Sequence, residues 1–185
     1  MKRKVMPVKE FKGKKINIRS LDTADLKRAK DFQCFINSLI GEDAKLLINR
    51  KQSLKDEKEW IKGETKNIKA KKTLCLVAES EGKIIANANI SLEKYRKAHI
   101  GEFGICIKNG WRGMGLGGYL MARIIEMAKK DLKPKPKFIK LGVFANNKPA
   151  IGLYEKMGFR AVSRVPKQFQ YKGKLIDEIV MLLRL

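Results

Sequence analysis

Apolar and polar residues alternate along this chain in two rhythms, and their order predicts an architecture. Residues 15–19 alternate with a period of two, as a short half-buried strand does. Asp22 then stands at a capping position, and Leu26, Ala29, Phe32, Phe35, Ile36 and Leu39 repeat at helical spacing until Gly41. Ser53-Leu54-Lys55-Asp56 resembles a capping box, and Leu54, Ile61 and Ile68 recur on one face of the helix behind it. Three strands follow at 73–80, 84–92 and 98–108, the first two joined by Glu81-Gly82, a hairpin signal. Leu116, Tyr119, Leu120, Arg123, Ile124 and Met127 form the stripe of a long helix halted before Pro134. Residues 138–144 are the next strand, a short helix carries Tyr154, and a last hairpin spans 159–185 with its turn at Lys172-Gly173. Residues 1–14 read as a basic tail. The order β-α-α-β-β-β-α-β-α-β-β predicts an α/β fold with a mixed sheet.

Length and composition fit one domain, residues 15–185, with a core drawn from 44% apolar residues. Cys34, Cys75 and Cys106 stand alone in apolar stretches, without metal-ligand spacing, and read as buried free thiols of a reducing compartment. Met1-Lys2-Arg3-Lys4 begins like a signal segment, but no apolar stretch follows it. No run reaches the roughly 18 apolar residues of a membrane span, so a cytoplasmic protein is expected. Charge changes the picture more. Lysine and arginine outnumber aspartate and glutamate by 42 to 19, a net +23. Such a field attracts polyanions, so a ribosome or nucleic-acid partner stays open beside a merely soluble surface.

The densest chemistry is Asn109-Gly110-Trp111-Arg112-Gly113-Met114-Gly115-Leu116-Gly117-Gly118, between a strand and a helix. Bare N–H groups at a helix start make an anion site, and Arg112 adds a charge that can fork onto phosphate oxygens. Three ligand readings compete with a plain glycine turn. A P-loop would need Lys-Ser or Lys-Thr after the last glycine. Gly113-x-Gly115-x-x-Gly118 matches a dinucleotide fingerprint, but five residues separate it from the strand, and Lys135-Pro136-Lys137 stands about where the ribose acid belongs. The third reading is Arg-x-x-Gly-x-Gly, from Arg112 through Gly115 to Gly117. A second segment sharpens it. In Asn147-Lys148-Pro149-Ala150-Ile151-Gly152-Leu153-Tyr154-Glu155-Lys156-Met157-Gly158-Phe159, the proline suits a first helical turn, Ala150, Leu153, Tyr154 and Met157 share a face, and Gly158 stops the helix.

Together, in this order, the two segments resemble the coenzyme A motifs of the GNAT family of N-acetyltransferases, over about residues 72–185. The resemblance implies a mostly antiparallel seven-stranded sheet flanked by about four helices, with a splayed central strand pair. It implies direct transfer of the acetyl group of acetyl-CoA to a primary amine, without a metal. The diphosphate would lie on Arg112, Gly113, Met114, Gly115, Leu116, Gly117 and Gly118, and the pantetheine would pair with the backbone of Ile105, Cys106 and Ile107, whose side chains should matter little. Asn147 would bond the pantetheine or the acceptor side, and Lys156 would reach the adenosine phosphates. Tyr154 would protonate the departing thiolate, since a phenol of pKa about 10 lies near that of a thiol.

For the base, Glu102 is the choice, because a carboxylate inside an apolar strand should be partly desolvated and its pKa raised. His99, the lone histidine, and ordered water are the alternatives. The region of about residues 32–60 and the loop before the last strand should wall the acceptor groove. A small amine or polyamine-like acceptor ranks above a protein N-terminus or lysine. A ribosome-associated binding module and a coenzyme A sensor without turnover are the rival classes, and the chain leaves open whether it works as a homodimer.

Overall fold

The computed structural model describes residues 5–185. The first four residues of the predicted tail lie outside that range. Eight strands form one sheet, with four α-helices on its two faces. The strands are β1 (Lys9–Phe11), β2 (Lys14–Ser20), β3 (Thr73–Ser80), β4 (Lys83–Leu92), β5 (Ile100–Ile107), β6 (Phe138–Phe144), β7 (Arg160–Tyr171) and β8 (Lys174–Arg184). The helices are α1 (Ala29–Gly41), α2 (Leu54–Lys69), α3 (Leu116–Asp131) and α4 (Lys148–Lys156). The sheet runs β1-β2-β3-β4-β5-β6-β8-β7 and is antiparallel except where β5 meets β6.

The α/β class, the mixed sheet and the four helices are as the hydrophobic pattern predicts. The eighth strand is an addition. It is β1, inside the stretch read as a tail, and it pairs with β2 through a two-residue turn at Lys12-Gly13. Met6 is buried beside it, and its N–H donates to the Ile18 carbonyl at 2.9 Å. The first predicted helix also divides. Asp22 caps a 3-10 turn at Thr23–Arg28, and the α-helix begins only at Ala29.

Two cores lie on opposite faces. One joins α3 and α4 to the sheet through Leu116, Leu120, Ile124, Tyr154, Phe103 and Ile139. The other packs α1 and α2 through Phe32, Phe35, Leu39, Ile61 and Ile68 against Cys75 and Val77. Burying such side chains contributes about 1.5–3 kcal/mol each. Only Cys75 meets the expectation of a buried thiol. Cys106 is half-buried, and Cys34 is exposed because it falls one position off the stripe that Phe32 and Phe35 define.

Candidate active site

The site begins where two strands part. β5 and β6 pair only at Ile100↔Phe138, Gly101↔Ile139 and Glu102↔Lys140. Beyond that rung β5 continues to Ile107 and β6 to Phe144 without touching as a ladder. Gly101 sits at the root of the fork. A Cβ there would stand 2.8 Å from Cγ2 of Ile90 and 2.9 Å from Cδ1 of Ile139, so the close approach requires glycine.

Hydrogen bonding decides which β5 groups face the gap. Lys108 N–H donates to the Ile85 carbonyl, and Glu93 N–H to the Ile100 carbonyl, both at 2.9 Å. With the β4–β5 register, this turns the backbone of even-numbered β5 residues toward β4. Phe103, Ile105 and Ile107 therefore direct their N–H and C=O groups into the fork. Ile105 and Ile107 stand where the sequence places them. Cys106 does not, since its backbone is committed to β4. Nor are the two isoleucines neutral supports, because their side chains pack on the α3–α4 core.

The glycine loop leads into α3. Gly113 has φ +69° and Gly115, at the cap, φ +90°, and no atom lies within 4 Å of a Cβ built on either. No side chain caps α3, so its first-turn N–H groups lack a cap and the space before the loop is open. Gly117 and Gly118, in the first turn of α3, also allow close packing. A Cβ on Gly117 would lie 3.1 Å from Leu153 Cδ2 and 3.3 Å from Ile107 Cδ1. Leu116 is buried beneath the turn, and Met114 rests on the same core. Arg112 turns back from the open side. Its Nε donates to the Ile107 carbonyl at 2.7 Å, and its Nη2 pairs with Glu42. Contact with a phosphate requires it to leave those partners.

α4 brings Tyr154 to the fork from the α3 side. The residue is 8% exposed, with Phe103 edge-on at 6.3 Å and Phe159 at 6.1 Å. Burial, with a smaller contribution from Cys106, pushes the phenol up to about 12. It therefore stays protonated at neutral pH. Burial likewise pushes the Cys106 thiol, which lies against the other core, up to about 12. Asn147 precedes α4, accepts from Ala150 and Ile151 N–H through its carbonyl, and leaves its side chain uncommitted to capping. Lys156 is exposed in the last turn.

The expected burial of Glu102 is not found. Its side chain leaves the sheet on the α1–α2 face, where it is exposed and adds to the field that favours the charged form of Lys140. His99 is exposed too and precedes β5 at the closed end of the fork, where its carbonyl accepts from Lys137 N–H at 2.8 Å.

Sequence reasoning missed Glu57. It is 7% exposed, and burial, then the neighbouring Asp56, pushes its carboxyl up to about 7. The signal was its spacing: Glu57 lies one turn before Ile61 on the row that also holds Ile68. On this side the 42–53 segment is tied to the β7–β8 hairpin. Tyr171 Oη donates to the Asp43 carbonyl at 3.0 Å, and Lys172 pairs with Asp43 at 3.2 Å. Between them lies a cavity of about 300 Å³, walled by Ile40, Leu46, Ile48, Gln170 and Tyr171.

An uncapped helix start, a one-sided strand edge and a buried phenol meet at one fork. The acetyltransferase (GNAT) family matches residues 42–159, more than half of the chain, and the chain belongs to that family. It is 33% identical over 107 residues to the L-amino acid N-acetyltransferase AaaT of Escherichia coli (strain K12), a match covering 57% of this chain. That match spans 65% of the relative's own length, slightly under two thirds. A GNAT-family acetyltransferase from Streptococcus pneumoniae superposes with a TM-score of 0.80 at 23% identity, covering 92% of this chain and 99% of that one. yncA from Salmonella typhimurium, solved with its cofactor acetyl-CoA, does so at 0.76 and 20% identity, over 92% and 94%. At these identities the two structures share the fold.

Proposed function

We propose that the chain is an N-acetyltransferase moving the acetyl group of acetyl-CoA directly to a primary amine. The observation that carries this reading is the fork, where the open edge of β5 lies between the uncapped α3 start and the hydroxyl-bearing ring of Tyr154. The diphosphate would rest on the amides around Gly113 and Gly115, and the pantetheine would pair with Ile105 and Ile107. Tyr154 would give its proton to the departing thiolate. A phenol that stays protonated at neutral pH is a suitable general acid for a departing thiolate. Arg112, released from Glu42, would reach the phosphates, and Lys156 the adenosine end.

The acceptor we propose is a small amine. A half-open cavity of about 300 Å³ beside the Asp43–Tyr171 tie has the size of a compact body. AaaT is an L-amino acid N-acetyltransferase, and an amino acid would fit such a space. The test is thiol release from acetyl-CoA across a panel of amino acids, polyamines and peptides. We expect turnover with small amines, and a Tyr154→Phe loss of about 100-fold in kcat with coenzyme A affinity unchanged. Tight coenzyme A binding without turnover on any amine would instead leave a sensor.

A further inference from the structure

The core-facing residues of α2 are Ile68, Thr65, Ile61 and Glu57. Ile61 and Ile68 pack with Phe32, Phe35 and Cys75, and Trp60 closes against Phe32 at 5.8 Å. One turn nearer the helix start, the same row ends in a carboxylate. Buried carboxylates are normally paired. The sequence offers 42 lysines and arginines, yet no described residue pairs or hydrogen-bonds with Glu57, and the only charge that perturbs it is Asp56. A cation from outside the chain would complete the site.

Its place fits that cation. Cys106 lies beyond the last β5–β6 rung, with its side chain against the α1–α2 core. Glu57 acts on that thiol from the α2 side, and the same thiol acts on Tyr154, which belongs to the opposite core. Tyr154 thus belongs to the core on one face of β5, and Glu57 to the helix α2 that packs on the other, where the Cys106 side chain lies. Glu102 is two pleats toward the closed end.

We propose that Glu57 is the catalytic residue on the acceptor side: its carboxylate receives the acceptor's ammonium at the fork and takes the proton that must leave before the nitrogen can attack. This rests on the N-acetyltransferase reading. An N–H bond of the ammonium breaks and its electron pair stays on nitrogen. The proton goes to Glu57. Nitrogen then bonds to the acetyl carbonyl carbon as the C–S bond breaks, its second proton replaces the one Tyr154 gives to sulfur, and Glu57 releases its proton to water. The titratable groups facing Glu57 are Asp56 on its own helix and Cys106 on β5, with Arg112 behind Cys106 and held by Glu42. The buried residues of α1 carry none.

The test compares wild type with Glu57→Gln, Glu57→Asp and, as a control on the exposed side of α2, Glu59→Gln. The readouts are kcat/KM for the amine from pH 5.5 to 9, coenzyme A binding by calorimetry, and thermal unfolding. In the wild type, kcat/KM should rise up to about pH 7 as Glu57 ionises. Glu57→Gln should lower it about 100-fold at pH 7 and remove that break, with coenzyme A affinity and folding retained. Glu57→Asp should restore part of the rate together with the break. Glu59→Gln should match the wild type. A Glu57→Gln enzyme with wild-type kcat/KM and the same break overturns the role, as does a break that disappears only in Glu102→Gln. A wild type that turns over no amine overturns the transferase reading, and the role of Glu57 with it.

Discussion

Two carboxylates on the α1–α2 side of the sheet ionise in opposite senses. Burial alone would raise Glu79, but hydrogen bonds from Arg19 and Arg28 outweigh it and hold the group below the usual carboxylate range. Arg19, 1% exposed, also forks onto Asp25 at 2.9 and 2.8 Å. Removing one partner of a buried pair strands the other charge, so Asp25→Ala should lower stability by about 3–5 kcal/mol in urea unfolding. The sign for Glu79 follows from its depressed pKa. Its contribution is present above the unfolded value of about 4.5 and is lost as pH falls through the folded one. Glu57 runs the other way. Between about 4.5 and 7 the unfolded chain is ionised while the folded chain keeps the proton, so this group removes stability as pH rises through that window. Neither behaviour was legible in the sequence, because the partners of Arg19 lie 6 and 60 residues away and Glu57 is defined by having none among the described residues. Tyr154 was legible because its motif and its helical spacing agreed, and both depend on near neighbours.

Local chemistry also decided which elements could be read. Glu81-Gly82 and Lys172-Gly173 announced hairpins, and both are there. Lys12-Gly13 carried the same signal, but β1 has three residues and the stretch before it is rich in lysine, so the charge outweighed the turn. The pattern places β5 within two residues at its start and one at its end, yet the alternation that separates Cys106 from Ile105 and Ile107 depends on the β4 register, which only pairing reveals. Glycines offer a test at this scale. Gly101→Ala drives a methyl group into Ile90 and Ile139 at the root of the fork, so it should destabilise by about 1–3 kcal/mol in chemical denaturation and lower turnover by widening the gap. Gly63→Ala, in the middle of α2 with nothing within 4 Å of the new atom, should stabilise by about 0.5–1 kcal/mol. A matched gain in both variants would mean that backbone entropy, not the packing at the fork, governs the response.

The charge belongs to the whole molecule, and the fold places part of it beside the anion site. Lys14 of β2 lies 4.4 Å from the Trp111 ring centre and donates to the Gly110 carbonyl at 3.4 Å, while Lys9 of β1 lies 5.9 Å from the Tyr119 ring. Phe11 packs edge-on to Tyr119 at 5.7 Å and holds the hairpin there. A stretch predicted as a tail therefore presents cations at the rim of the glycine loop, within the net field of +23. Such a field acts on capture of a phosphate-bearing carrier more than on the chemical step, and salt screens it over about 10 Å at 0.1 M. Raising salt from about 0.05 to 0.5 M should lower kcat/KM for acetyl-CoA about tenfold and leave kcat nearly unchanged, since attack within the fork involves no long-range approach. In a Lys9→Gln, Lys14→Gln chain the salt dependence should flatten, and its low-salt value should approach that of the wild type in high salt. If the double variant keeps the full dependence while the intact protein retains RNA strongly at low salt, the charge serves a polyanionic partner elsewhere on the surface and not the carrier at the loop.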